Sequence, residues 1–243
     1  MNNDFWEIVR LASKAPSGHN TQPWRFRISD DEITILPNYK VALPVVDPDN
    51  RELFISLGCA VENLFIASEH LGYKAQINSC CPEGITINLI QASGIQDNPL
   101  FTEIEKRQTN RNLYNGKRIS EETLEKIKSI RKETKVQLYI FEKENAIAQT
   151  IKEYIKEGNK IQMNDKPFKT ELLSWMRFNT KQVERTQDGL SYQVFGSPAL
   201  PQCIAKPIVS MFLKPNPQNK SDMKKIDSSS HLVVFTACTN TFK

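Results

Sequence analysis

Apolar residues near the start of the chain recur at Phe5, Ile8, Ala12 and Ala15, one face of a 3.6-residue period. They predict a helix that Asp4 caps, with Glu7 reaching back to it, and that Pro16 ends. The period then changes. Trp24, Phe26 and Ile28 alternate with Arg25 and Arg27, two aspartates turn the chain, and Ile33 and Ile35 resume the alternation, which predicts a β-hairpin. The stretch from Asp47 to Tyr73 carries the strongest helical stripe, Leu53, Leu57, Ala60, Val61, Leu64 and Leu71, with Asp49 as N-cap and Gly72 closing it. Phe54, Ile55, Phe65 and Ile66 make its reverse side apolar too, so this helix is expected to lie between two layers. Strands are expected at Lys74 to Asn78 and Ile85 to Ile90, the second with Ile85, Ile87 and Leu89 at period two.

From Pro99 the pattern restarts. A helix is expected over Leu100 to Lys106, and another from Glu121 with Leu124, Ile127 and Ile130 on one face. The run VQLYIF at residues 136–141 predicts a strand, followed by helices from Asn145 to Gln162 and from Glu171 to Phe178. Gln182 to Asn219 contains five prolines and little periodicity, which predicts a long irregular loop wrapping the surface or covering a pocket. HLVVFTA, from His231, is a continuous apolar run of the kind found in a buried central strand. A layered domain ending so soon after a central strand leaves that strand without a covering helix, so the sequence is expected to be truncated.

Composition narrows the function classes. A hydrophobic share of 39% and a charged share of 25% describe an ordinary globular chain. The net charge of +4 is spread among interleaved acidic residues, which gives nucleic-acid binding little support. No run approaches the ~20 apolar residues of a membrane span, and the charged N-terminal stretch lacks the apolar core of a signal peptide. The five cysteines include no CxxC pair and are expected to be reduced thiols in a cytoplasmic setting. His70 and His231 have no metal-ligand spacing, so no metal is expected.

The run APSGHNTQPW, starting at Ala15, carries the candidate chemistry. Pro16 and Pro23 stiffen its ends, and Ser17 and Gly18 add almost no bulk, so the backbone between them is able to meet a planar ligand edge to edge. Asn20 and Gln22 supply amides that both donate and accept, as a heteroaromatic ring with mixed edges requires. His19 is counted with them, although the ordinary place for a loop histidine is in solvent. Further along, RQTNR presents Arg107, Thr109 and Arg111, two guanidinium groups and a hydroxyl suited to a phosphate, against the plainer reading of a solvated basic loop.

P-S-x-x-N-x-Q-P-W followed by an alternating strand resembles the flavin-binding loop of the nitroreductase family of FMN-dependent oxidoreductases. The resemblance implies an α+β fold with a mixed or antiparallel central sheet flanked by helices. It also implies that Pro16, Ser17, Gly18 and Asn20 lie against the isoalloxazine ring, and that Arg107, Thr109 and Arg111 hold the FMN phosphate. The phosphate stretch sits after the ring-facing loop instead of before it, as in the Acg-like branch, where two degenerate pseudo-repeats in one chain stand in for a dimer. SLGCAVENLFIASEHLGY, ELLSWMRF and the DGL at Asp188 are similar to that branch. The implied halves are residues 1–98, with the ring-facing loop and the long helix, and 99–243, with the phosphate clamp.

The activity implied is transfer of hydride from NAD(P)H through FMN to a nitroaromatic, a quinone or a similar acceptor. The chain is expected to be a pseudo-dimeric monomer or a homodimer, and no catalytic side chain is assigned. A flavin-storage protein with an occluded site is the alternative, and a fragment that binds nothing is a third.

Overall fold

Burial of Phe5, Ile8, Leu11 and Ala12 on one face fixes helix α1 (Asn3–Ala12) where the 3.6-residue period places it. Its cap differs from the sequence expectation. Asn2 Oδ1 accepts from the Asp4 amide at 3.0 Å, so Asp4 lies inside the first turn and its carboxylate accepts from the Tyr73 hydroxyl at 3.0 Å. Glu7 does not reach back either. It takes two 2.7 Å bonds from the Arg10 guanidinium, which holds its carboxyl below the usual range.

The structure is a computed structural model describing residues 2–130 and 135–237. The described residues pack as two units: one runs up to Thr109 and includes Val183–Leu190, and the other comprises Asn110–Gln182 and the described residues from Ser191 to Ala237. The resemblance divides the chain at residue 98, whereas packing follows this interleaved division. Cys238 and the expected interruption near Lys243 lie outside the described residues.

In the first unit, β1 (Trp24–Ile28) and β2 (Glu32–Pro37) form the expected hairpin, with Phe26 opposite Ile35. Helix α2 (Arg51–His70) separates them from β3 (Tyr73–Cys81) and β4 (Gly84–Gln91), and the four strands make an antiparallel sheet in the order β1-β2-β4-β3. Period-two alternation places Ile33, Ile35, Ile85, Ile87 and Leu89 in one core with Leu57, Ala60 and Leu64 of α2 and with Ile8 and Leu11 of α1. Gly72, at φ +82, takes the left-handed turn that ends α2, as its position predicts.

Two expectations for α2 are corrected. Its N-cap position is Asn50, and the start is held by the buried carboxylate of Asp47, whose oxygens accept from the amides of Glu52 at 3.0 Å and Leu53 at 2.9 Å; Asp49 plays no such part. The helix is also not enclosed between layers, because Ile55 on its reverse side is half exposed. The helix expected over Leu100 to Lys106 reduces to a 3-10 turn, Phe101–Glu103. Seven residues are too few to offset the cost of helix nucleation without a packed face.

The second unit begins with α3 (Glu121–Lys128), capped by Ser120, then β5 (Val136–Glu142) and α4 (Ala146–Asn164), capped by Asn145. α5 (Lys166–Ser174) starts earlier than expected because Pro167 suits a first turn, and residues Met176–Arg177 (β6) are extended where the sequence suggested helix. The chain continues through α6 (Thr180–Thr186) and β7 (Leu190–Ser191) into α7 (Gln202–Phe212), α8 (Pro215–Ser228) and β8 (His231–Ala237). The proline-rich stretch is therefore largely helical and not an irregular loop. Pro201, Pro215 and Pro217 sit at helix starts or in a first turn, where the missing N–H costs nothing, and Pro207 lies in the interior of α7. β8 pairs antiparallel with β5 in a two-stranded sheet, with Val233 45% and Phe235 62% exposed, so it is not the buried central strand that its apolar run suggested.

Helices α4 and α8 are joined by a polar cluster. The buried Asn159 side chain donates to Asn219 Oδ1 and Asp222 Oδ2, both at 3.0 Å, and Gln218 adds a bond to Asp222 at 2.8 Å. Asn159→Leu leaves two acceptors facing an apolar group. It is expected to destabilise the second unit by about 1–3 kcal/mol, read as a lower urea midpoint at unchanged m-value.

Candidate functional site

The loop expected to face the ring connects α1 to β1, and its shape follows from a chain of short bonds. Ser17 is extended, and the following 3-10 turn, Gly18–Asn20, is closed by bonds from the Asn20 amide to Ser17 O and from the Thr21 amide to Gly18 O, both 3.0 Å. Ser17 Oγ accepts from the Gln22 amide at 3.0 Å, and the Gly18 amide donates to Ser56 Oγ of α2 at 3.4 Å. Gly18 is needed for this approach: an added Cβ would lie 3.1 Å from Glu52 Oε2 and 3.4 Å from Leu43 Cδ1. Burial, and then the charge of Asp47, push the Glu52 carboxyl above its usual range.

Behind the loop is a cavity of about 10 Å³ lined by Gly18, Thr21, Pro23, Asp47, Glu52 and Ser56, room for a single water. A planar ligand against this loop therefore lies on its outward side, where Pro16 and Asn20 are exposed and Ser17, Gly18, His19 and Gln22 are partly so. His19 Nε2 itself is shielded from solvent. The backbone is unusual here. His19, Asn20 and Gln22 have φ of 49°, 55° and 50°, the left-handed region that non-glycine residues enter rarely.

A distant segment closes on the loop within the same unit. Asn20 Nδ2 donates to Gly189 O at 3.1 Å, the Gly189 amide returns a bond to Asn20 O at 3.0 Å, and Gln22 Nε2 donates to Gln187 O at 2.5 Å. The sequence placed Asn20 and Gln22 in the site but did not anticipate these partners. Asp188 and Gly189 were noticed as part of a family-like run with no position in space. Asp47 and Ser56, which set the start of α2 beside the loop, were also missed, since VVDPDN holds two aspartates at equally plausible cap spacing.

Of the phosphate candidates, Arg107 belongs to the same unit as the loop. Its guanidinium donates to the carbonyl of Lys14, two residues before Pro16, at 3.2 Å and is otherwise exposed. The half-buried Cys59 thiol of α2 is pushed up by burial, and the Arg107 charge acts against that shift. Thr109 is exposed at the end of the same unit. Arg111 belongs to the second unit, with its guanidinium 6.0 Å from the centre of the Phe195 ring. The second unit also has an open groove of about 760 Å³ between α5 and α7, lined by Leu173, Cys203, Lys206 and neighbours and by none of the sequence-selected residues. Among the described residues no cluster of His, Cys, Asp and Glu is arranged to hold a metal, and no helix is long and apolar enough to cross a membrane.

In the first unit, a strip poor in side-chain bulk next to an exposed guanidinium suits a flat heteroaromatic group carrying a phosphate. Comparison with known proteins bears on which one. No family model matches the chain. It is 33% identical over 114 residues, 44% of its length, to Rv3131 of Mycobacterium tuberculosis, which is named as a candidate NAD(P)H nitroreductase. It is 30% identical over 69 residues, 28% of its length, to acg of the same organism, named likewise. These matches span 33% of Rv3131 and 21% of acg, so the chain covers a third or less of these relatives. A solved structure of a candidate NADH dehydrogenase/NAD(P)H nitroreductase from Parabacteroides distasonis aligns with 45% of this chain and 86% of that one, at 13% identity and a TM-score of 0.33.

Proposed function

We propose, from the premise that the chain belongs to the nitroreductase family, that it binds FMN against the loop from Pro16 to Gln22 and serves an NAD(P)H-dependent oxidoreductase reaction. The observation that carries this reading is the position of Arg107, anchored on the Lys14 carbonyl at the base of that loop with its charge directed to solvent. In this reading Pro16, Ser17 and Gly18 present backbone to the ring edge and Arg107 takes the phosphate with Thr109, which lies in the same unit. The residues bind and orient, and bound FMN would supply the hydride chemistry between NAD(P)H and a nitroaromatic, quinone or similar acceptor. Halves at 1–98 and 99–243, descended from one repeat, are part of the same proposal. Action in a cytoplasmic setting is part of the same proposal and rests on the cysteine pattern of the sequence.

Titration of the full chain with FMN and with riboflavin tests the assignment. Arg107→Ala is expected to weaken FMN binding by roughly 10–100-fold, the scale of a charge-assisted phosphate contact, and to leave riboflavin binding unchanged. Equal losses for both ligands would remove Arg107 from the phosphate site. Addition of NADH or NADPH to the loaded protein then separates catalysis from storage: rapid bleaching of the flavin, with recovery on adding a quinone, is the expected result.

A further inference from the structure

We propose that Gln187–Gly189 is a positioning strap for the ring-facing loop, and that Asn20 and Gln22 act through it by holding the loop in shape. The consequence for flavin affinity rests on the reading above; the strap itself does not. Three of the four positions from His19 to Gln22 are left-handed, and the short bonds inside the loop close its 3-10 turn without reaching outside it. Asn20 and Gln22 reach outside it through three bonds to the strap, beside the contact of the Gly18 amide with Ser56 of α2. Asn20 and Gly189 exchange two of them, at 3.1 and 3.0 Å, and Gln22 adds a third to Gln187 at 2.5 Å. The strap is itself unusual, with Gln187 at φ 53° and Gly189 at φ 77°. Each segment thus holds a backbone shape that isolated chain seldom adopts, and each is fixed by the other. Both carboxamide nitrogens are directed to strap carbonyls, which leaves Pro16, Ser17 and Gly18 as the part of the loop that meets a ring edge.

Asn20→Gly and Gln22→Gly test this, because glycine enters the left-handed region without strain but has no side chain to donate. The full-length variants are followed by amide hydrogen exchange in flavin-free protein and by FMN titration. Exchange at residues 17–22 and 187–189 is expected to rise about tenfold or more, with β2 and α2 unchanged, and FMN affinity to fall about tenfold. Gly189→Ala, which strains the strap from its own side, is expected to reproduce both effects. A loss of FMN affinity with wild-type exchange in the flavin-free loop would make Asn20 and Gln22 direct ligands and overturn the strap, as would no change in either measurement. Accelerated exchange in a protein whose wild-type form binds no FMN would retain the strap and remove the flavin reading.

Discussion

Gly84→Ala is expected to destabilise the first unit by about 2–4 kcal/mol, the range for overpacking combined with an unfavourable backbone shape. Gly84 opens β4 at the tight connection from β3, with φ at +158°. An alanine Cβ there would lie 2.9 Å from the Ile35 carbonyl oxygen, 3.1 Å from Leu36 Cδ2 and 3.4 Å from Thr34 Cγ2. The first of these is backbone of β2, the strand that pairs with β4 through Ile35 and Ile85, so relief requires the ladder itself to move. Differential scanning calorimetry should show the transition of this unit lowered by roughly 5–15 °C, at a few degrees per kcal/mol for a unit of this size. A melting temperature equal to wild type would show that the two strands do not approach so closely.

Leu57→Ala is the second large effect, expected to cost about 3–5 kcal/mol. Leu57 has no exposed surface and lies in the middle of α2, within the cluster that includes Ile8, Leu11, Ile33 and Ile87. Its truncation removes buried methyl groups and leaves a cavity that helices and sheet cannot collapse to fill. Leu57→Met conserves volume and should cost under about 1.5 kcal/mol, so the pair separates packing from polarity. Because the neighbouring Ser56 accepts from the Gly18 amide, the alanine variant should also loosen the loop, visible as faster exchange at Gly18. Equal urea midpoints for the two variants would contradict the packing argument.

How far the sequence carries the fold depends on whether an element's surroundings lie close by in the chain. The hairpin of β1 and β2, the alternation in β4 and the long stripe of α2 were legible because each declares its buried face by period alone. β8 was misjudged for the opposite reason. VVF is apolar on both faces, and nothing local says whether two strands or one will flank it. The stretch after Gln182 was misjudged because prolines were counted as breakers, while Pro215 occupies a helix start that tolerates them. In the candidate site, the side-chain-poor loop and Arg107 were visible from residue types. The contact with Gln187 and Gly189 was not, because a backbone carbonyl has no sequence signature and the bond to Gly189 spans 169 residues.

That separation also governs when the loop matures. At a synthesis rate of about 5–20 residues per second, Gly189 leaves the ribosome on the order of 10–30 s after Asn20, and the closure then carries the entropic penalty of a very long loop. The hairpin, α2 and the rest of the N-terminal sheet have every partner they need long before that. A nascent chain stalled between Ile104 and Gly189 would therefore hold a finished scaffold with an unset mouth, and competence to receive a ligand would arrive only with the strap.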